Sequence, residues 1–469
     1  MKACFYAING HGLGHLSRSY AIAKRLKALL HSIDEEADIQ FLTTSQADHL
    51  IHDFPVFKIP SRSMFKGQRG AASRYTRNGK MMVSNMIAHF SPHLLIMDTI
   101  ATGSFNEFSF IKSMAKKTVL IERHKKEVYA KKEAHLAHLP LFDSILVPEE
   151  KSLNADYNIP KHLLTKVHYC DRIHGIHKAD LLSRSEARSY FGVSTEPLIY
   201  LAAGGGGDPA AQLQIETLLH ALSTLPVKVI IGYGPLNHTP KQYNSSQFIP
   251  FTELGISRYF KGFDLAISAA GYNTYEELLC AKVPTAFFAQ DKGMDDQSRR
   301  VAHGTEQHWH YALDLDQNLR SQLNSLLSSR PPAELNNRPS PHGAIKAALH
   351  LAELHYESQD EKCILLRLSA EAWTTYEQEE WSHNSPAEVI STLMKVLKYA
   401  SASQRIRLTI NTTELLSLIE ICMQITNTLA QLQLETSSER SRLLTHIAKT
   451  AAGNITTLSQ WIQSNSSLS

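Results

Sequence analysis

Residues 262–300 read GFDLAISAAGYNTYEELLCAKVPTAFFAQDKGMDDQSRR, and this stretch decides the fold. Leu265-Ala266-Ile267 is a short apolar run of the kind that fills a buried parallel strand. Gly271 lets the backbone turn tightly and come close to a ligand, and Thr274 is placed to cap the helix that follows. The free N–H groups of that helix would face the ligand. Glu277 lies one turn further on, where a carboxylate can accept from two adjacent hydroxyls. Residues 284–288, PTAFF, restart a strand, and Asp295, Asp296 and Gln297 follow it with two acceptors and an amide. They stand at the carboxyl end of that strand, where open α/β sheets bind ligands.

Working outward, the same alternation recurs. Residues 3–8, ACFYAI, form a strand pattern, followed by the loop NGHGLGH at 9–15 and an expected helix over about 17–30. Strand, glycine loop and helix open a Rossmann-like unit, and the helix end favours an anion. His15 in this loop can take a proton from a hydroxyl near neutral pH, or simply bond the loop backbone. Arg18 either binds a phosphate or holds a carboxylate. Residues 94–99, LLIMDT, form another strand ending in Asp98, a second candidate base whose plainer reading is a loop anchor. Further on, the strand LIYLA at 198–202 runs into Gly204, Gly205, Gly206 and Gly207, and Asp208-Pro209 reads as a helix cap with a first-turn proline.

Ser268, Gly271, Thr274 and Glu277, in the pattern S-x-x-G-x-x-T-x-x-E followed by Asp296-Gln297, resemble the nucleotide-sugar half of metal-independent GT-B glycosyltransferases. The resemblance is to family 28 and predicted transferases related to it. Gly12, Gly14, His15 and Arg18, as G-x-G-H-x-x-R, resemble that family's first loop, which a nucleotide-sugar hydrolase of nonulosonic acid synthesis shares. This loop therefore does not separate transferase from hydrolase. Asp98, Thr99, Gly103 and Glu107 resemble D-T-x-P-x-G-x-x-x-E of the predicted transferases, with Ala101 in place of the proline. The resemblance implies that Glu277 binds the ribose and Asp296-Gln297 the sugar hydroxyls. It also implies that the glycines at 204–207 cradle the pyrophosphate, and that Phe248 and Ile249 flank the base. Gly12, Gly14, Arg18 and Glu107 would lie on the acceptor or phosphate side. It covers roughly residues 1–330.

Bulk properties narrow the remaining choices. A chain of 469 residues is long for one core and implies two or three domains. A formal net charge of +3 is no nucleic-acid signature, and no nucleic-acid-binding fold is recognisable. The 24 histidines include no HExxH and no Cys/His cluster of zinc spacing, so no metal site or cofactor is expected. Asp314 and Asp316 form a D-x-D, which lies beyond the sugar loop and reads as a surface turn. Five scattered cysteines suit a reducing cytosol. Neither a membrane-spanning run of ~20 apolar residues nor a signal-peptide core is visible.

Two segments stand apart. Residues 58–80 carry Lys58, Arg62, Lys66, Arg69, Arg74, Arg77 and Lys80 with no acid, and read either as a solvated loop or as a basic loop for an anionic acceptor or membrane face. Beyond the prolines of 331–341 the strand repeat stops. Helical patterns begin at 385, 413, 438 and 455, with an apolar face suited to packing, to a homodimer or to a protein partner. The expectation is an α/β GT-B fold with a helical C-terminal extension, divided at 1–178, 179–335 and 336–469. The expected activity is a cytoplasmic, inverting, metal-independent transfer from a nucleotide-sugar, with a uridine diphosphate sugar as donor and an unidentified acceptor. Peripheral contact with the inner membrane face is allowed. A nucleotide-sugar hydrolase and a non-catalytic nucleotide-sugar-binding scaffold are the alternatives.

Overall fold

The computed structural model describes residues 1–8, 13–61, 71–151, 159–176, 180–204, 209–234, 237, 241, 243, 245–253, 255–328, 342–357, 360–378, 389–391, 393–395, 418–419 and 422. The expectations for Gly12, for Gly205, Gly206 and Gly207, for Asp208, for Arg62, Lys66 and Arg69, and for most of the tail beyond 378 lie outside these residues.

The first sheet has seven strands. They are β1 (Lys2–Ala7), β2 (Asp38–Thr43), β3 (Val56–Lys58), β4 (Leu94–Asp98), β5 (Lys117–Ile121), β6 (Ser144–Val147) and β7 (Val167–Tyr169), in the order β3-β2-β1-β4-β5-β6-β7. Pairing is parallel, with Phe5 opposite Ile96 and Met97 opposite Leu120. Strands β1 and β4 are apolar almost end to end because both faces are covered. Helix α1 (Gly14–Ser32) follows β1 and begins earlier than its apolar spacing suggests.

The basic stretch needs correction. Residues 71–80 open helix α2 (Ala71–Phe90), which buries Val83, Ile87 and Phe90 in the core under this sheet and leaves Arg74, Arg77 and Lys80 exposed. The 3–4 spacing of those apolar residues, further along than the charges, makes it a helix. Three short helices, α3 (Phe108–Ile111), α4 (Glu127–Ala130) and α5 (Glu133–His138), fill the connections after β4 and β5.

The second sheet follows α6 (Arg184–Tyr190), whose start is held by a capping box between Ser183 and Glu186. Its strands are β8 (Leu198–Ala202), β9 (Lys228–Gly232), β10 (Phe248–Phe251), β11 (Leu265–Ala269), β12 (Thr285–Phe288) and β13 (Tyr311–Ala312). The order is β10-β9-β8-β11-β12-β13, all parallel. Helices α7 (Pro209–Leu222), α8 (Tyr272–Cys280) and α9 (Gln297–Glu306) return the chain between strands, and α10 (Leu319–Ser328) follows the last of them. Both sheets reverse direction of growth once, the first between β1 and β4, the second between β8 and β11. A crevice opens at the carboxyl ends of the strands at such a switch point.

The chain folds as two compact units. One comprises residues 2–22 and 39–344 and contains both sheets; the other comprises Met1, 23–38 and 345–469. In the second unit, the later part of α1 lies with α11 (Gly343–Tyr356) and α12 (Asp360–Gln378), neither of which the tail's periodicity predicts. Arg25 stacks on Trp373 at 4.8 Å, and the Ser32 and Ser369 hydroxyls meet at 2.6 Å. The Tyr356 hydroxyl donates to Glu35 at 3.0 Å, and Lys362 pairs with the same carboxylate. Among the described residues no helix is long and apolar enough to cross a membrane.

Candidate functional site

At the first switch point, α1 brings His15 and Arg18 onto Asp98, the last residue of β4. His15 Nδ1 lies 2.7 Å from Asp98 Oδ1. Arg18 clasps the same carboxylate through Nε at 3.0 Å and Nη2 at 2.5 Å, and the Thr99 hydroxyl donates to it at 2.6 Å. Arg18 and Asp98 are each 2 % exposed. Burial would push the Asp98 carboxyl up, but Arg18 and His15 outweigh burial and hold it well below the usual carboxylate range. Burial lowers His15 despite Asp98 beside it, so the ring is neutral at pH 7. The Asp98 contact selects the tautomer with hydrogen on Nδ1. Nε2 is then a lone-pair acceptor, with no partner among the described residues.

This geometry corrects the reading of Asp98 as a second base. Its oxygens are taken by five donors, the fifth being the Ser19 hydroxyl at 3.5 Å, and it stays ionised, so it holds His15 and Arg18 in place. Of the two options for Arg18, the structure shows it holding a carboxylate. Thr99 sits at φ 68°, a left-handed conformation that costs a β-branched residue energy and that clusters at functional sites. Gly14 is the first residue of α1 and has open space where a side chain would stand.

Glu107 is also corrected. It is fully enclosed, takes a bond from the Tyr6 hydroxyl, and accepts the Phe105 N–H at 2.7 Å. A side chain at Gly103, φ 77°, would run into that carboxyl. Glu107 therefore holds the loop after β4 and does not face an acceptor.

At the second switch point, β8 ends before Gly204 and β11 ends before Gly271. Gly204 has φ 101°, which only glycine adopts freely. Gly271 is different: its φ is −64°, so no left-handed turn is needed, and the space beside it is open. It is also the N-cap of α8, which starts at Tyr272, so Thr274 is inside the first turn and is not the cap. Ser268 is buried in β11 and donates to the Ala269 carbonyl at 3.0 Å. Phe248 and Ile249 are half-buried on β10.

Glu277 has no hydrogen-bonding or ionic side-chain partner among the described residues, and burial pushes its carboxyl up to about 7. Asn273 precedes the half-buried Glu277 by four residues on the same helix face, and its Oδ1 is buried and unpartnered among the described residues. An unpaired acceptor in such a place costs stability unless a ligand supplies the donor.

The DDQ run is more structural than its spacing suggests. Asp295 accepts from Arg123 at 2.6 Å and from Arg300 at 2.8 Å. Asp296 caps α9 by accepting the Arg299 N–H at 3.1 Å. Gln297 is buried and accepts the Gln290 N–H at 3.0 Å. Sequence reasoning missed Gln290, which lies just past the carboxyl end of β12 and donates to the Ala203 carbonyl at 3.2 Å, under Gly204. Its place two residues beyond the strand was the one signal that could have found it. Among the described residues no three His, Cys, Asp or Glu side chains are grouped to hold a metal. Asp314 and Asp316 are exposed in a turn, where the Asp316 N–H bonds Asp314 at 2.9 Å.

Solved structures with this arrangement are numerous and distant in sequence. The spinosyn forosaminyltransferase SpnP matches with a TM-score of 0.51 at 13 % identity, over 77 % of this chain and 98 % of its own. The fold is GT-B. A Listeria monocytogenes protein assigned as a UDP-N-acetylglucosamine 2-epimerase matches at 0.51 and 12 % identity, over 76 % and 97 %. Spinosyn rhamnosyltransferase SpnG, complexed with thymidine diphosphate, matches at 0.50 and 12 %, over 75 % and 96 %. No protein-family model matches the chain, and no curated protein matches its sequence.

Proposed function

We propose that the protein transfers a sugar from a nucleotide-sugar, with a uridine diphosphate sugar as the expected donor, to an acceptor hydroxyl, with inversion and without a metal. One observation carries this reading. A neutral imidazole backed by an ionised carboxylate stands at one switch point, and a carboxylate without a partner among the described residues stands at the other. His15 Nε2 would take the acceptor proton, Asp98 would stabilise the resulting imidazolium, and Arg18 would keep Asp98 ionised. Glu277 would accept the ribose hydroxyls, with Thr274 and the open backbone at Gly271 beside the phosphates. The 204–207 glycines and the start of α7 would receive the departing diphosphate. Phe248 and Ile249 would border the base, and Asp296 and Gln297 would place the sugar-side loop. We read the chain as an acceptor half at 1–178, a donor half at 179–335 and a helical extension at 336–469.

The fold also hosts nucleotide-sugar epimerases, and water can replace the acceptor. Turnover of a panel of nucleotide-sugars, with and without glycan or lipid acceptors, tests the reading. Diphosphate released only with acceptor supports it. Release into water makes the protein a hydrolase, an isomerised donor with no release makes it an epimerase, and binding without change makes it a scaffold.

A further inference from the structure

Asp295 does not point at an empty space. Its Oδ1 accepts from Arg123 Nη1 at 2.6 Å, and Arg123 belongs to the loop after β5 in the first sheet's half. The same carboxylate accepts from Arg300 Nη2 at 2.8 Å and Nη1 at 3.3 Å. Arg300 Nη1 also donates to the Ala270 carbonyl at 2.6 Å, the residue before the Gly271 turn. The Arg300 guanidinium lies 5.7 Å from the Tyr272 ring, with Arg18 at 5.2 Å from that ring. The Tyr272 hydroxyl donates to Pro148 O at 2.8 Å, after β6 of the first sheet. Beside Asp295 the chain crosses once more, since the Lys126 N–H donates to the Met294 carbonyl at 3.1 Å.

One carboxylate therefore bridges two guanidiniums, one from each half of the cleft. Both arginines and the aspartate are largely enclosed, at 10–15 % side-chain exposure, so their charges are weakly screened. Asp295 is also bonded, through Arg300, to the turn ahead of α8. Through its neighbours Asp296 and Gln297 it is continuous with Gln290 and Gly204. We propose that Asp295 is a positioning residue that locks the donor-side loops to the half carrying His15, so that donor and base are registered by one shared ion pair. The proposal rests on the donor reading of the second edge.

Arg123→Gln and Asp295→Asn, singly and together, test it in the full chain. In the free protein, each single change is expected to speed amide hydrogen exchange in both segments 123–129 and 290–297, and the double variant no further. With a turned-over nucleotide-sugar, Arg123→Gln is expected to raise donor KM roughly tenfold while changing kcat far less, although Arg123 lies on the other half. Exchange that changes only in the segment carrying the mutation, or that adds in the double variant, overturns the lock. So does a donor KM unmoved by Arg123→Gln. A wild-type protein that turns over no nucleotide-sugar defeats the donor reading alone, and the exchange cycle still decides the lock. If Asp295→Asn melts the fold, Arg123→Gln carries both readouts.

Discussion

The carboxyl edges of the two sheets are finished in opposite ways. At the first, every charge is matched: Asp98 is bonded by His15, Arg18 and Thr99, and a single ring nitrogen is left as an acceptor. At the second, the Asn273 side-chain carbonyl is withdrawn from water and Glu277 is half-buried, and neither has a partner among the described residues. An edge satisfied by its own residues is already in its working geometry, which suits proton transfer. An edge left unsatisfied is held at a cost that a ligand relieves, which suits binding. On the proposed reading the difference gives chemistry to the first edge and recognition to the second, and each change below attacks one side of that division.

The largest effect belongs to the first edge. His15→Ala is expected to lower turnover by about 10²–10⁴-fold with donor affinity nearly unchanged. Asp98→Asn should lower turnover steeply as well, because the amide cannot hold the imidazolium. Both are read by steady-state rates beside donor calorimetry. A His15→Ala variant of near-normal turnover would remove the chemistry from this edge. The pH profile sharpens the point. His15 is held below its ordinary value of 6.5 by burial, so its proton-accepting form persists below that pH. The acid limb of kcat/KM should therefore fall below 6.5, and a limb above 6.5 would contradict the assignment.

The next effect belongs to the second edge and has two signs. Glu277→Gln should weaken donor binding by roughly 1.5–3 kcal/mol, the usual worth of charge-assisted hydrogen bonds. The same change should stabilise the free protein at high pH. Glu277 is raised from 4.5 to about 7 in the fold, so the stability associated with its protonated form is full below 4.5 and lost as pH rises through 7. The uncharged amide escapes that loss. Allowing for partial exposure, Glu277→Gln should gain about 1–2 kcal/mol at pH 8 and almost nothing at pH 4. Melting at the two pH values, without ligand, measures it. An equal shift at both would mean the carboxylate has a partner after all.

How much of this was legible follows the same division. Strands such as 94–98 and 265–269 were readable because a parallel strand buried on both faces must be apolar throughout. The glycine loops marked both switch points. What could not be read is which polar groups spend their bonds on one another. Asp98 and Glu107 lie nine residues apart in one motif, yet one backs the candidate base and the other is sealed against Tyr6. That outcome depends on α1 and β1, about a hundred residues away in sequence. The DDQ run hid a bond for a related reason: Asp295, ahead of the Asp296-Gln297 pair expected at the sugar, meets Arg123 across 172 residues. Helix α2 was missed because its charges come first and its buried positions last.

The smallest expected effect tests whether the second edge manages the leaving group with backbone alone. A departing diphosphate brings about two negative charges, which many transferases meet with a divalent cation on a D-x-D. Here the D-x-D follows the sugar-side loop, and the Asp314 carboxylate is already turned back onto the Asp316 N–H at 2.9 Å. The Asp314 N–H donates to Gln322 at 3.1 Å, so the pair shapes the approach to α10. At the diphosphate's expected place the chain offers Gly204 in a left-handed conformation and the amino end of α7, whose first turn carries no acid. That end is worth roughly half a positive charge, before any side chain is counted. Replacing Asp314 and Asp316 together by alanine removes exposed turn bonds only. It should shift stability by no more than about 0.5 kcal/mol and leave turnover within about twofold. Turnover should also persist in excess chelator. Loss of activity in chelator that magnesium or manganese restores would put a cation where the glycines are expected, and the second edge would then no longer be the one that works by backbone alone.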